Sequence, residues 1–242
     1  MSKSIRVDKV LSNMGYGTRT QIKKQMKKGI VTLNGEVIKK PGTLMNPDED
    51  VLTYFGDEVE YREHIYLVMN KPQGLISATC DDEHLTIIDV LQPEDKVFSP
   101  FPVGRLDLDT EGIIFITNDG KFSYKFTSPN KRIDKVYYVE VAEDIEENYH
   151  EEFEKGIYFK EEDYRTLPAK LEVFEDDKKK CYLTIQEGKY HQVKRMFLHM
   201  GNEVTFLKRV KIADFELPEE LEPGEYRELT EEEVEHLINL DK

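Results

Sequence analysis

From residue 65 onward the chain is a succession of short runs rich in β-branched and aromatic residues, and few folds can accommodate that. IYLVM, LISAT, GIIFIT, KVYYVEV, AKLEVF, CYLTIQ and EVTFLKRV each read as a strand. TIIDVL, DIEENYHEEFEK before Gly156, and YHQVKRMFLHM before Gly201 read as helices. A last helix, TEEEVEHLINL, carries the capping-box pair Thr230 and Glu233. Asn118–Asp119–Gly120 and Asp176–Asp177–Lys178 read as hairpin turns. Short connections of this kind favour an α+β fold with a mixed, mostly antiparallel sheet and flanking helices over a doubly wound sheet. No strand-linked GxGxxG or GxxxxGK[ST] run is present, which weakens any nucleotide-cofactor reading.

The first sixty residues have a different grammar. Val7, Val10, Leu11 and Met14 recur at helical spacing and stop at Gly15. Thr18 is placed to cap a second helix whose Ile22 and Met26 face inward, while Arg19, Lys23, Lys24, Lys27 and Lys28 cover the remaining surface. IVTL, the turn pair Asn34–Gly35 and EVI then form a hairpin signal, and VLTYF a further strand. The expected division is a small helix-and-hairpin domain over 1–60 and a sheet domain over 61–242, joined by a linker near 57–63.

The formal charge of −15 argues on its face against a nucleic-acid partner. Resolved along the chain it does not. Residues 1–40 hold ten Lys and Arg against Asp8 and Glu36, a local +8, so the remaining 202 residues carry −23. Residues 188–211 hold Lys189, Lys194, Arg195, Lys208, Arg209 and Lys211 against Glu203 alone, a local +5. A polyanion responds to the field within about 8–10 Å, so two basic islands on an acidic chain are compatible with RNA; each can equally be a solvated face. No apolar run approaches the roughly 18 residues of a bilayer span, and the first residues have no apolar core of a secretory signal. Cys80 and Cys181 lack CxxC spacing, so neither a disulfide framework nor a zinc ribbon is indicated. The expectation is a cytoplasmic protein with no membrane association and no metal.

Three segments can carry chemistry. Gly104-Arg105-Leu106-Asp107-Leu108-Asp109-Thr110-Glu111-Gly112 places three acids and an arginine in a glycine-bounded loop that feeds an apolar strand. By composition it is either a catalytic loop or a set of ordinary turn formers, and a metal site lacks further ligands nearby. In Glu187–Met196, a helix starting near Tyr190 would put His191, Lys194 and Arg195 on one face, where the two cations can neutralise a carboxylate or hold phosphates. In Lys135–Val139, alternation puts Lys135, Tyr137 and Val139 on one face and Tyr138 on the other; Tyr137 is either core or a platform for an unstacked base.

GRLDLDTEG, KVYYV, and EGKYHQVKRM followed by GNEV-x-x-L-x-R, in this order, resemble the RsuA-type family of ribosomal RNA pseudouridine synthases, as does NKPQG at 70–74. The leading unit, with KVLSNMGYGTR and VTLNGE, resembles the S4 RNA-binding domain. The resemblance implies isomerisation of a uridine in RNA: the N1 glycosidic bond breaks, the base turns, and C5 rejoins the sugar, with no cofactor. It makes Asp107 the essential aspartate, acting either as nucleophile or by removing a ribose proton. The basic partner falls in HQVKR, with Lys194 the first choice and Arg195 the second. Tyr137 would pack on the flipped base, Arg105 would hold the distorted RNA, Lys71 would line the cleft, and Asp109 would support the loop. Arg6, Lys9, Arg19, Lys23, Lys24 and Lys27 would bind RNA phosphates in the S4-like domain. The implied partner is ribosomal RNA or a subunit-assembly intermediate, with small-subunit 16S RNA preferred over 23S and the chain a monomer. The competing readings are a non-catalytic ribosome-assembly factor, against which the intact RLD triplet stands, and a hydrolase using Asp107 with His191.

Overall fold

The computed structural model describes residues 4–240. They pack as two compact units: residues up to 65 together with 91–100, and 66–90 together with 101 onward.

In the first unit, helix α1 (Val7–Asn13) buries Val7, Val10 and Leu11, and the chain turns at Gly15, whose φ of +79° is open to glycine at little cost. Helix α2 (Arg19–Lys27) starts on a reciprocal capping box between Thr18 and Gln21 and buries Ile22 and Met26 completely. Strands β1 (Val31–Leu33) and β2 (Glu36–Val37) are joined by Asn34 and Gly35, at φ of 52° and 84°, as a primed turn requires. Strand β3 (Leu52–Tyr54) pairs with β1, and β4 (Asp57–Glu58) with β3. The expected linker near 57–63 is therefore part of the unit. Alternating Val59 and Tyr61 give this polar run one apolar face, and Val59 is buried in the core.

The second unit is built on a nine-stranded sheet. Its strands and helices, in chain order, are β5 (Tyr66–Lys71), β6 (Phe101–Val103), β7 (Glu111–Thr117), α3 (Gly120–Thr127), β8 (Lys135–Val141), α4 (Asn148–Lys155), β9 (Lys170–Val173), β10 (Lys180–Ile185), α5 (Gln192–His199), β11 (Val204–Ile212), β12 (Phe215–Glu216), β13 (Tyr226–Glu228) and α6 (Glu231–Asn239). The spatial order is β9-β10-β8-β11-β7-β5-β13, with β12 on β11 and β6 on β7. The β11–β7 pair is parallel and the other pairings are antiparallel, so the expected mixed, mostly antiparallel sheet is present. Phe115 and Ile212 of the sheet, Phe122 and Phe126 of α3 and Leu237 of α6 belong to one core cluster. Burying each such side chain contributes roughly 1.5–3 kcal/mol.

Three local expectations are corrected. TIIDVL is not a helix: Thr86 and Asp89 hydrogen-bond one another's backbone and side chain, which closes a turn instead. LISAT contributes only a single bridge, Ile76 to Thr86. Asn118–Asp119–Gly120 is a helix start rather than a hairpin turn, because Asp119 Oδ1 accepts from the Lys121 amide at 2.8 Å and Phe122 and Phe126 pack one turn apart. Strand β6 is interrupted in pattern by Pro102, which an edge strand tolerates.

Candidate active site

Five strands bring one row of residues into lateral register. Leu183 of β10 faces Tyr137 of β8, Tyr137 faces Arg209 of β11, Arg209 faces Gly112 of β7, and Gly112 faces Lys71 of β5. Neighbours in register project from the same side of a sheet, so Tyr137, Arg209 and Lys71 share one face. Only glycine fits at 112: its φ is +107°, and a Cβ there would lie 2.1 Å from the Arg209 carbonyl oxygen. The 104–112 loop ends on this contact.

The loop is held from beneath. The ammonium of Lys71, a fully buried residue, donates to the carbonyls of Pro72 at 2.9 Å, Asp107 at 2.9 Å and Thr110 at 2.8 Å. The Gly74 amide donates to Leu108 O, and Ser77 Oγ exchanges hydrogen bonds with the Leu106 amide and carbonyl. The NKPQG segment is thus the cradle of the loop. Burial pulls the Lys71 pKa down to about 8, against the raising effect of Asp107, Asp109 and Glu111. The expectation that Lys71 lines the cleft is corrected: all three ammonium protons are engaged on main-chain carbonyls, out of reach of RNA.

With its backbone fixed, Asp107 presents its carboxylate at the surface, 31% exposed. Oδ2 lies 3.4 Å from Lys194 Nζ, and Oδ1 lies 3.7 Å from His191 Nε2. Lys194 also donates to Asp109 Oδ1 at 2.5 Å. Burial works to raise the Asp109 pKa, but the Lys194 ammonium prevails and holds it below the usual carboxylate range. The two carboxylates therefore share one lysine.

Helix α5 begins at Gln192, not near Tyr190, because His191 adopts a left-handed conformation at φ 49°, ψ 34°. The face expected to combine His191, Lys194 and Arg195 is split accordingly. Arg195 turns away from Asp107 and forms a bidentate pair with Glu162 at 2.7 and 2.6 Å, its guanidinium 3.8 Å from the Phe159 ring centroid. The α5 start is anchored by buried Glu187, which accepts from the Gln192 amide group, the Leu167 amide and the Tyr164 hydroxyl. Arg105 is exposed and, among the described residues, has no hydrogen bond or ion pair. Tyr137 is 7% exposed in the register row.

Arg209 was visible in the sequence only as part of a motif and had no assigned role. It is 3% exposed, donates Nε to Ile113 O at 2.9 Å, and keeps a buried Nη2 with no partner among the described residues.

In the first unit, Arg6 and Arg19 both pair with the fully buried Asp8 carboxylate, at 3.0 and 3.3 Å. Burial acts to raise the Asp8 pKa, but these two arginines hold it below its ordinary value. Lys9, Lys23, Lys24 and Lys27 are exposed and have no ion pair among the described residues.

The model for RNA pseudouridylate synthase matches residues 65–199, and the model for the S4 domain matches 5–51. A Bacillus subtilis protein named as an uncharacterized RNA pseudouridine synthase is 47% identical over 97% of this chain and 98% of its own. Ribosomal small subunit pseudouridine synthase A of Vibrio vulnificus is 41% identical over 95% of this chain and 98% of its own, and that of Escherichia coli K12 is 36% identical over 97% and 100%. A crystal structure of a pseudouridylate synthase superposes with a TM-score of 0.68 at 38% identity, covering 96% of this chain and 99% of that one. The chain belongs to the RsuA-type RNA pseudouridine synthases, an S4 domain followed by an isomerase domain that converts uridine in RNA to pseudouridine.

Proposed function

We propose that the chain modifies a uridine of small-subunit, 16S-type ribosomal RNA, and that Asp107 is its reactive carboxylate. The carrying observation is the Asp107 side chain, solvent-accessible yet fixed through its own carbonyl by Lys71 and flanked by Lys194 and His191. A carboxylate must be ionised to attack the sugar or base or to remove a ribose proton. Lys194 supplies the positive charge. It lacks the planar fork of an arginine, so it can serve Asp107 and Asp109 in turn without a fixed bidentate geometry. The uridine is taken out of its stack to reach Asp107, with Tyr137 beneath the flipped base and Arg105 free at the loop to hold the displaced backbone. The small-subunit target follows the names carried by the Vibrio and Escherichia relatives. Residues 1–60 act as the RNA-binding domain and 61–242 as the catalytic domain. The chain works as a cytoplasmic monomer on free RNA or an assembly intermediate.

The test is to incubate the protein with deproteinised 16S and 23S RNA and with small-subunit assembly intermediates, then map pseudouridine by carbodiimide-dependent reverse-transcription stops. A new stop in 16S RNA is expected, absent with Asp107→Asn although that variant still binds. A stop confined to 23S RNA would overturn the target, and full activity in Asp107→Asn would overturn the catalytic assignment.

A further inference from the structure

We propose that Tyr190 and His191 form a base-stacking subsite that receives a nucleotide adjacent to the isomerised uridine. This rests on the reading above that Asp107 is the reactive carboxylate. The two rings are stacked, with centroids 3.8 Å apart and planes 17° from parallel. That spacing is close to the roughly 3.4 Å rise between successive bases in a nucleic-acid strand. The edge of the inner ring points at the reaction centre, with His191 Nε2 3.7 Å from Asp107 Oδ1. The outer ring, Tyr190, is 74% exposed, the highest value of any large apolar side chain among the described residues. One of its faces is covered by His191 and the other is open.

An exposed aromatic ring is not rare in itself. Here, however, the turn that presents it is locked. The Gln192 amide donates to Lys189 O at 3.1 Å and Gln192 Oε1 accepts from the Lys189 amide at 2.9 Å. Arg195 Nη1 donates to Tyr190 O at 3.3 Å, and Arg195 is itself clamped by Glu162. His191 holds a left-handed backbone, which disfavours a residue with a Cβ, at the position that both stacks on Tyr190 and caps α5. A rigid aromatic face beside a reactive carboxylate, with Lys194 of the adjoining helix also at that carboxylate, suits an unstacked nucleobase. Flipping the target uridine unstacks its neighbour, and the Tyr190 face replaces the lost stacking partner. Aromatic stacking is indifferent to base identity, so the subsite adds affinity and holds the flanking strand open without fixing sequence.

The experiment uses the full chain and the rRNA fragment around the uridine that the wild-type protein modifies. Steady-state rates are compared for wild type, Tyr190→Ala and Tyr190→Phe, and 2-aminopurine is placed in turn at the nucleotides 5′ and 3′ of the target. Tyr190→Ala should raise KM by about 5- to 50-fold with kcat changed less than about threefold, since the contact is made in both ground and transition states. Tyr190→Phe should restore KM to within about twofold, as it keeps the ring and removes only the hydroxyl. Fluorescence at one of the two neighbouring positions should be quenched by wild type and Tyr190→Phe but not by Tyr190→Ala. A wild-type KM in Tyr190→Ala, a loss confined to kcat, or a Phe variant as poor as Ala would each overturn the subsite while leaving Asp107 in place. Absence of pseudouridine with wild type on every rRNA would overturn the active-site reading and the subsite with it.

Discussion

In the first unit, Lys9, Lys23, Lys24 and Lys27 stand exposed and without ion-pair partners among the described residues. In the second, Lys71 and Arg209 are buried on main-chain carbonyls, and Lys194 and Arg195 are held by carboxylates. Exposed lysines on a helix act at a distance, screened by salt and tolerant of where a phosphate lies. Buried or paired cations act through position, and an error of an ångström removes their effect. The same residue types thus provide affinity in one unit and geometry in the other. Arg6 and Arg19 belong with the second kind despite their place in the first, because Asp8 neutralises much of their charge.

This contrast can be broken at several points. The largest effect is expected at Lys194, where replacement by Gln removes the cation nearest Asp107; kcat should fall about 10²–10³-fold with RNA affinity little changed. A variant with normal kcat and weakened binding would make Lys194 a phosphate contact of the first kind. Lys71→Met is next. It leaves the carbonyls of Pro72, Asp107 and Thr110 without their donor, so urea denaturation should register a loss of about 2–3 kcal/mol and turnover should drop together with stability. Unaltered turnover would mean the loop keeps its shape without the lysine.

A smaller effect is expected in the first unit. Changing Lys24 and Lys27 together to Glu should weaken RNA binding about tenfold at moderate salt and reduce the slope of log K against log salt by about 1.4, with kcat preserved. An unchanged slope would move the phosphate contacts elsewhere. The smallest expected effect concerns protons. Burial lowers both Lys71 and Lys135 to about 8, whereas an unfolded lysine titrates near 10.4. Between pH 8 and 10 the unfolded chain therefore holds protons that the folded chain has released, and each lysine's contribution to stability rises with pH across that window. Below pH 8 both states are protonated and the contribution is flat. Buried Cys181 and the raised tyrosines Tyr138 and Tyr164 act in the opposite direction, so the informative quantity is a difference. Relative to wild type, Lys135→Met should lose a rise in unfolding free energy of about 2 kcal/mol between pH 8 and 10. An identical dependence in the two proteins would show that Lys135 keeps an ordinary proton affinity.

What the sequence made legible was local or periodic. The Asn34–Gly35 turn, the caps at Thr18 and Thr230 and the apolar run of β7 are each decided by a handful of adjacent residues, and each is present. Lys194, the first choice for the place beside Asp107, lies 3.4 Å from its carboxylate, whereas Arg195 pairs with Glu162. The rest depended on partners far along the chain. Arg195 is diverted by Glu162, 33 residues away in an acidic stretch that had the look of solvated surface. Lys71 is claimed by carbonyls that come within reach only when β5 and β7 pair. His191 sits at φ 49° as the cap of α5, its ring stacked on Tyr190 and its Nε2 3.7 Å from Asp107, and no propensity scale contains those contacts.

The row Leu183–Tyr137–Arg209–Gly112–Lys71 has a consequence for quality control. A slip of one residue between any two of its strands would send the side chains beyond the slip to the opposite face. The β8–β11 pairing already carries one such irregularity between Val136 and Tyr137, beside the row. A chain with a misregistered sheet would still expose the lysines of α2 and could still bind RNA, yet it would have no assembled reaction centre. Partly folded molecules of this protein would therefore be silent on their RNA instead of careless with it, and catalytic turnover serves as a direct readout of correct strand alignment.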